Sequence, residues 1–270
     1  MSQRQACRWR SATFCFDSLS LWEREQRGSR LVHTAVPKGQ ELWHLLQITD
    51  QFFPTGGYAF SHALETYIAE GIVHDRVSCY RLLENLCWHA IGPCDMVFCA
   101  HAYRLAAGIN TTHDTLAALV AYDHLLGAYK VPRELHQESQ HTGQAFLRAV
   151  MALEPGPLVQ AFWAQVQRGA TPGHHALVFG CVAQHLGCDR ESALLAYLYT
   201  VLTGLVAAAL RLVPLGQSDG QRLLHELASL SGDLIAQYGE LQPEDAWSAT
   251  PGLDIRSMQH ERLYSRLYRS

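Results

Sequence analysis

The most informative stretch of this chain is Leu45–Glu65, which reads LLQITDQFFPTGGYAFSHALE. It interrupts two helix-like patterns with a proline and a pair of glycines. Pro54 fixes its own φ and biases Phe53 toward an extended conformation, whereas Gly56 and Gly57 allow positive φ or close approach of another backbone. Two interpretations stay open: a helical corner whose glycines serve only the turn, and a surface shaped for another molecule.

A helix is predicted to restart after this turn. Its apolar residues recur at i, i+3, i+4, i+7 and i+8, namely Phe60, Ala63, Leu64, Tyr67 and Ile68. Gly71 is placed to stop the helix. Ser61 and Glu65 share the other face, so both are expected on the surface.

Composition excludes several classes of protein. The 270 residues are 48% hydrophobic, which is enough for a substantial core and excludes a chain that is disordered throughout. The 21 basic and 25 acidic residues give a net charge of −4, so nucleic acid is not an expected partner. Neither lysine, Lys38 or Lys130, follows a glycine as the phosphate loop G-x-x-x-x-G-K-[ST] requires, so any such nucleotide chemistry belongs to a partner.

Two features bear on the cellular compartment. The eight cysteines include no C-x-x-C pair and are too sparse for a disulfide scaffold, so reduced thiols in a cytoplasmic protein are predicted. Ala193–Leu210 is an uncharged run of 18 residues, at the lower edge of what spans a bilayer. Because Thr200, Thr203 and Gly204 dilute the run and Arg211 follows at once, we expect the central helix of a soluble bundle and no membrane span.

Helical periodicity organises the chain from Leu42 onward. We therefore predict a single all-α domain, a helical bundle of about ten helices, over residues 42–270. Residues 1–41 lack sustained periodicity and are predicted to be a mobile N-terminal extension. Within the domain, a helix that starts at His74–Asp75 is expected to break at Gly92–Pro93, and one helix is expected over Gly220–Tyr238.

Fifteen histidines raise the question of a metal site, because neutral imidazole binds zinc, nickel and copper. No H-E-x-x-H motif occurs. Cys94, Cys99 and His101 form one candidate set, which would make the chain a small helical metalloenzyme, and His174–His175 is a second candidate. Structural roles are the simpler interpretation of both. Nucleophile motifs such as G-x-S-x-G are also absent, so no catalytic residue, cofactor or resident metal is predicted.

Three blocks of sequence carry a family resemblance. The second block is RLVPLGQ at 211–217, and the third is MQHERLYSRLYRS at 258–270. The first block comprises Leu46, Gln47, Asp50, Phe53, Pro54, Gly56, Gly57, Ser61, Leu64 and Glu65. In composition, order and separation the blocks resemble the F-type urease accessory proteins, the UreF family, over about residues 42–270. Two departures are Ala63, where the family usually has glycine, and 136–139, where HQES replaces a common REAS.

The resemblance implies an all-α homodimeric chaperone without catalysis of its own. Proteins of this kind join a UreD/UreH-type accessory protein and a nickel-carrying UreG-type GTPase in a complex that delivers Ni²⁺ to apo-urease. GTP hydrolysis is then the partner's chemistry. The expected partner-binding residues are Asp50, Pro54, Gly56, Gly57, Ser61, Glu65, Arg211, Pro214, Gly216, His260, Arg266, Tyr268, Arg269 and Ser270.

Roles for these residues follow from the resemblance as expectations. The Gly56–Gly57 turn, Glu65 and Arg211 are expected on the surface that engages the GTPase, and positions matching Glu65 and Arg211 are linked to control of GTP hydrolysis. A second interpretation of Arg211 is that it only complements the dipole at the end of its helix. The tail is expected to order against the UreD/UreH-type protein, so that deleting residues 257–270 abolishes that complex and leaves the dimer folded.

Overall fold

The computed structural model of the chain describes residues 38–108, 112–263 and 267–268. These residues form an all-α structure without β-strands, as predicted. The α-helices are α1 (Lys38–Thr49), α2 (Leu64–Ala69), α3 (Arg76–Leu86), α4 (Val97–Ala107), α5 (Thr112–Tyr129), α6 (Arg133–Val150), α7 (Pro157–Gln167), α8 (His175–His185), α9 (Arg190–Leu212), α10 (Gln217–Ala228), α11 (Ser231–Tyr238) and α12 (Pro251–His260). The first of them begins four residues before the predicted domain start.

The predicted break at Gly92–Pro93 is wrong. A π-helical segment, Cys87–Met96, joins α3 directly to α4. In π-helical pairing the N–H of residue 93 would bond to the carbonyl of Trp88; Pro93 has no N–H, and the hydroxyl of Tyr238 donates to that carbonyl instead, at 3.1 Å. The backbone N–H groups of Ala249 and Trp247 donate to the carbonyls of His89 and Pro93, at 2.9 Å and 3.1 Å. Distant parts of the chain therefore bond to the carbonyls around the proline, and the helix continues through it.

Two other helices differ from their predicted extents. The single helix expected over Gly220–Tyr238 is divided into α10 and α11. The hydroxyls of Ser229 and Ser231 donate to the carbonyls of Glu226 and Ala228, and such side-chain bonds compete with the helical ladder. The helix after the glycine turn is shorter than predicted, because the chain enters it through left-handed residues and α2 begins only at Leu64.

Close packing of α4 against α8 forms the centre of the core. The largest fully buried side chains include Phe98 on α4 and Phe179 on α8, and Phe146 on α6 stacks against Phe179 with ring centroids 5.5 Å apart. Gly180 allows the two helix backbones to touch, since a Cβ at this position would overlap the carbonyl oxygen of Cys99. Helices α6 and α9 pack on this core and carry Glu134 and Arg211 of the site described below.

Replacing Gly180 with alanine is expected to lower the free energy of unfolding by about 1–3 kcal/mol, because α4 and α8 must separate to admit the methyl group. Urea denaturation measures the change. Gly232→Ala is the matched control, since nothing lies within 4 Å of a Cβ at that helical position. An unchanged unfolding midpoint for Gly180→Ala would show that the helices are less closely packed.

Helix α9 is long and apolar enough to cross a membrane by length and composition alone, and it is the one such helix among the described residues. Its most apolar 18-residue window is 56% buried inside the protein. It packs against several other helices, among them α1, α8 and α10. These neighbouring helices surround α9 as they would a central helix of a bundle, as the sequence predicted.

Candidate partner-binding site

A histidine bridges two buried carboxylates where the C-terminal segment meets the body of the domain. The side chain of His260 is 0% exposed. Its Nδ1 lies 2.9 Å from Oε2 of Glu134, and its Nε2 lies 3.1 Å from Oε2 of Glu65. Both contacts are hydrogen bonds when both ring nitrogens carry a proton and both carboxyls are ionised, or when one carboxyl is protonated and donates to a neutral ring. His260, Glu65 and Glu134 are called the triad below.

Helix ends supply part of the stabilisation of this triad. Glu65 and Glu134 lie in the first turns of α2 and α6, where the positive end of a helix dipole favours a carboxylate. His260 is the last residue of α12, where the dipole favours a cation. Three helix ends thus meet with matching charges, which offsets part of the cost of burying them.

Glu65 also binds the last described residues of the chain. Its Oε1 accepts the backbone N–H of Leu267 at 2.8 Å, and its Oε2 accepts that of Tyr268 at 3.3 Å. The Tyr268 side chain is buried, and its hydroxyl lies 3.4 Å from Nη1 of Arg211. The first, second and third sequence blocks therefore meet at one place, through Glu65, Arg211 and the tail.

The expectation that Ser61 and Glu65 lie on the surface is wrong. Ser61 is fully buried and Glu65 is only 8% exposed. The helical stripe that placed them outside requires residues 60–63 to be helical, whereas His62 and Ala63 have φ of 49° and 60°. Glu65 points inward because the chain turns there, so it can influence a partner only through the tail that it holds.

Five residues of the first block, Asp50, Phe53, Pro54, Gly56 and Gly57, line an open cavity. Its volume is about 530 Å³, and its wall includes Asp50, Pro54, Gly56, Gly57 and Arg211. Gly56 has φ of 69°, so the turn uses the left-handed conformation that the sequence suggested. The adjoining Phe52 is apolar, and its side chain is 94% exposed in the described part of the chain. Turn and cavity together form an accessible surface beside Arg211, and this surface is called the turn surface below.

Comparison with known proteins decides the family. The UreF family model matches residues 73–228. The urease accessory protein UreF of Bacillus sp. (strain TB-90) is 33% identical over 85% of this chain and 99% of its own length. That of Arthrobacter sp. (strain FB24) is 34% identical over 84% of this chain and 96% of its own. The chain belongs to the UreF family. It is therefore a urease accessory protein and not an enzyme, as the resemblance implied.

The family pattern explains a strained residue beside the triad. At Ala63, where the sequence resemblance leads us to expect glycine, the backbone has φ of 60°. Left-handed backbone costs a residue with a Cβ about 1–2 kcal/mol, and glycine is free of that cost. The conformation is needed because the residue directly precedes α2, which presents Glu65 to His260.

Two of the expected residues lie elsewhere. Pro214 and Gly216 are exposed in the turn between α9 and α10, where the N–H of Gly216 donates to Oδ2 of Asp219 at 3.1 Å. They are outside the turn surface. Arg266, Arg269 and Ser270 lie outside the described residues, and their contribution stays a prediction.

The alternative of a metalloenzyme finds no support in the geometry. No group of three or more histidine, cysteine or acidic side chains that could hold a metal occurs in the part of the chain described. Burial raises the pKa of Cys94 to about 12 and also raises the pKa of Cys99 above its ordinary value, which disfavours the thiolates that metals bind. His101 packs edge-on against Tyr122, with ring centroids 4.4 Å apart.

Sequence reasoning missed Glu134. Its position in the first turn of a helix after Pro132 is typical of a solvent-exposed acidic residue that complements the dipole. Nothing in the local sequence reveals that His260, from the other end of the domain, covers it. The family-typical M-x-H-E ending marked His260 itself but not its partners.

The burial of the adjacent residues His174 and His175 leads to a prediction of how the free energy of unfolding depends on pH. Both are buried, and burial lowers the pKa of His174 to about 3 and that of His175 to about 4. The unfolded value is about 6.5. Neutral imidazole is therefore favoured in the folded state, so this stabilisation is complete above pH 6.5 and is lost as the pH falls toward 4. At pH 5 we expect a loss of about 2 kcal/mol for each histidine.

Urea denaturation between pH 7.5 and pH 5 measures this loss. The buried carboxyl of Asp123 acts in the opposite direction, because burial raises its pKa, so a variant is needed to isolate the histidines. His175→Phe should reduce the slope of stability with pH, since Phe146, Phe179 and Tyr197 form an aromatic surrounding. His225→Gln, at an exposed position, should leave the slope unchanged. Equal slopes for all three proteins would contradict the assignment.

Proposed function

We propose that this chain is a cytoplasmic urease maturation chaperone. It bridges a UreD/UreH-type accessory protein and a UreG-type GTPase, and it regulates GTP-dependent nickel insertion into apo-urease. Family membership supports the urease pathway. The observation that supports bridging is that the tail and the turn surface are distinct, yet they are linked through Arg211 and Tyr268 at 3.4 Å. A structural change at one surface can therefore alter the other surface through this contact.

The two surfaces suit different partners. The turn surface offers the half-buried left-handed turn at Gly56, the exposed ring of Phe52 and the cation Arg211, and we assign it to the GTPase. A guanidinium near a bound nucleotide could stabilise charge on phosphate or orient a loop of the partner. The tail is assigned to the UreD/UreH-type protein. In this assignment Glu65 acts as a positioning residue, because it fixes the backbone of Leu267 and Tyr268.

A homodimer is part of the proposal. Helix α9 exposes Leu195 and Tyr199, and α1, which packs along it, exposes Leu42, Trp43 and Leu46. Large exposed apolar side chains on neighbouring helices favour a protein interface. We therefore place the dimer interface on α1 and α9.

The structure changes the expected result of tail deletion. Removing residues 257–270 also removes His260 and the buried Ser257, and it leaves the carboxylates of Glu65 and Glu134 without their bridge. Such a deletion should weaken the fold itself, so loss of a complex would not identify the tail as its binding surface. Deletion after Leu263 keeps the triad and is the better test.

Co-expression tests the proposed function. A urease operon that lacks only this component should yield urease with little activity and little nickel, and supplying the chain should restore both. The chain deleted after Leu263 should restore neither, although it still folds. Full urease activity without the chain would contradict the proposal.

A further inference from the structure

The interior of the turn-surface cavity would remain free when a partner docks at the rim of the cavity. Its wall is partly apolar, with Phe53, Ile91 and Leu135, and partly polar, with Glu138 and Thr142. A volume of about 530 Å³ is that of a site for a small molecule or a long side chain. The question is which chemistry these groups would receive.

Buried acceptors of hydrogen bonds lie in this wall without donors. Glu138 is 5% exposed; its Oε1 lies 2.6 Å from Nε2 of His62, and its Oε2 has no hydrogen-bond partner. The hydroxyl oxygens of Thr142 and Thr250 are also buried without partners. Buried polar groups in native proteins are nearly always satisfied, so a ligand rich in N–H donors would complete this wall.

The charge of the lining favours a cation. Among the described residues of the wall, the carboxylates are Asp50, Asp95, Glu138 and Asp254, and the permanent cations are Lys130 and Arg211. Lys130 is held by Asp95, with Nζ 2.7 Å from Oδ1, so this pair is internally neutral. Glu138 lies against His62, and burial raises the pKa of Asp254. The three remaining carboxyls still outnumber the one remaining permanent cation of the wall, Arg211, so the lining offers an anionic ligand no net attraction.

The shape of the cavity favours a cation on a stem over a bare metal ion. The described residues hold no group of three or more potential metal ligands. Small residues open one side, and nothing lies within 4 Å of a Cβ at Gly204. Side chains such as lysine and arginine bury their methylene groups against apolar walls while the charged head is hydrogen-bonded.

We propose that this cavity binds an alkyl chain ending in a guanidinium or ammonium group, with Glu138 as the main acceptor and Thr142 and Thr250 as further acceptors. The group could come from a basic side chain of a partner protein or from a free amine. The first source rests on the proposed function above. The chemistry of the cavity is the same for both.

Calorimetric titration of the isolated full-length chain tests the proposal. n-Butylguanidinium and n-butylammonium should bind saturably at one site, about tenfold or more tighter than 1-butanol, which has a similar stem and no charge. Both cations should also raise the thermal unfolding midpoint, and 1-butanol should not. Binding of 1-butanol as tight as that of the cations, or no saturation of either cation below about 10 mM, would overturn the proposal.

Variants separate this site from general attraction to an acidic protein. Glu138→Gln keeps an acceptor for His62 and should weaken cation binding about tenfold or more. Gly204→Leu should block the cavity, because its side chain would enter open space. Glu191→Gln, an exposed carboxylate outside the cavity, should leave binding unchanged. Equal binding by parent and Glu138→Gln would overturn the assignment of Glu138.

A competition experiment distinguishes the two sources. Excess n-butylguanidinium is added to preformed complexes of the chain with each accessory partner. Release of one partner assigns the cationic group to that partner's side chain, and intact complexes assign it to a free amine. Because the titration uses the chain alone, failure of the proposed function would leave its result unaffected.

Discussion

Replacing His260 with alanine is expected to lower the free energy of unfolding by about 3–5 kcal/mol, which is the cost of leaving buried charges without their partner. The imidazole is completely buried and lies within hydrogen-bond distance of both Glu65 and Glu134. Without it Glu65 and Glu134 lose the hydrogen-bond partner that they share, and a cavity remains between them. Urea denaturation at pH 7.5 measures the change.

A control and a second variant make this prediction specific. His225→Ala, at an exposed position on α10, should change the free energy of unfolding by less than about 0.5 kcal/mol. In the background of Glu65→Gln with Glu134→Gln, the His260→Ala change should cost much less, because no buried carboxylates remain to be paired. A stability of His260→Ala equal to that of the parent would mean that the triad contributes nothing to folding.

Replacing Glu65 with glutamine is expected to abolish binding of the UreD/UreH-type protein while the chain stays folded. The amide is the same size as the carboxylate, but it has one acceptor in place of the two that receive His260, Leu267 and Tyr268. We expect a loss of stability of about 1–3 kcal/mol, and release of the tail from its ordered position. Titration of the purified variant with the partner measures the affinity.

Glu70→Gln, at the residue directly after the same helix, is the matched control. Glu70 pairs with Arg256 at 2.8 Å near the surface, and such pairs contribute less than about 1 kcal/mol. It should therefore bind the partner as tightly as the parent does. If Glu65→Gln also binds with unchanged affinity, the tail does not depend on Glu65 and its positioning role is refuted.

The fold was predictable from sequence where local chemistry decides it. Asp75 caps α3 by accepting the N–H of Ser78, Pro132 opens α6, and the apolar run around Gly204 becomes the long α9. The prediction at Gly92–Pro93 failed because the hydroxyl of Tyr238 replaces the missing donor, a long-range contact that no local pattern contains. Helix propensity accounts only for the local free-energy cost of a proline. Here tertiary contacts compensate that cost.

The sequence predicted which residues belong to the site better than it predicted how these residues are arranged. Family blocks singled out Glu65, Arg211, His260 and Tyr268, and the described residues bring these four side chains to one place. The burial of Glu65 could not be predicted, since it depends on two left-handed residues before α2 and on a histidine from α12. Glu134 carried no signal of its own, because an acidic residue in a first helical turn is common on protein surfaces.

Bridging is the central claim, and a three-component capture experiment tests it most directly. The UreD/UreH-type protein is immobilised, the UreG-type GTPase is added with nucleotide, and the amount of GTPase retained is measured with and without this chain. We predict that the GTPase is retained only when the chain is present, in proportion to the amount of chain bound. Equal retention without the chain, or none with it, would contradict the account.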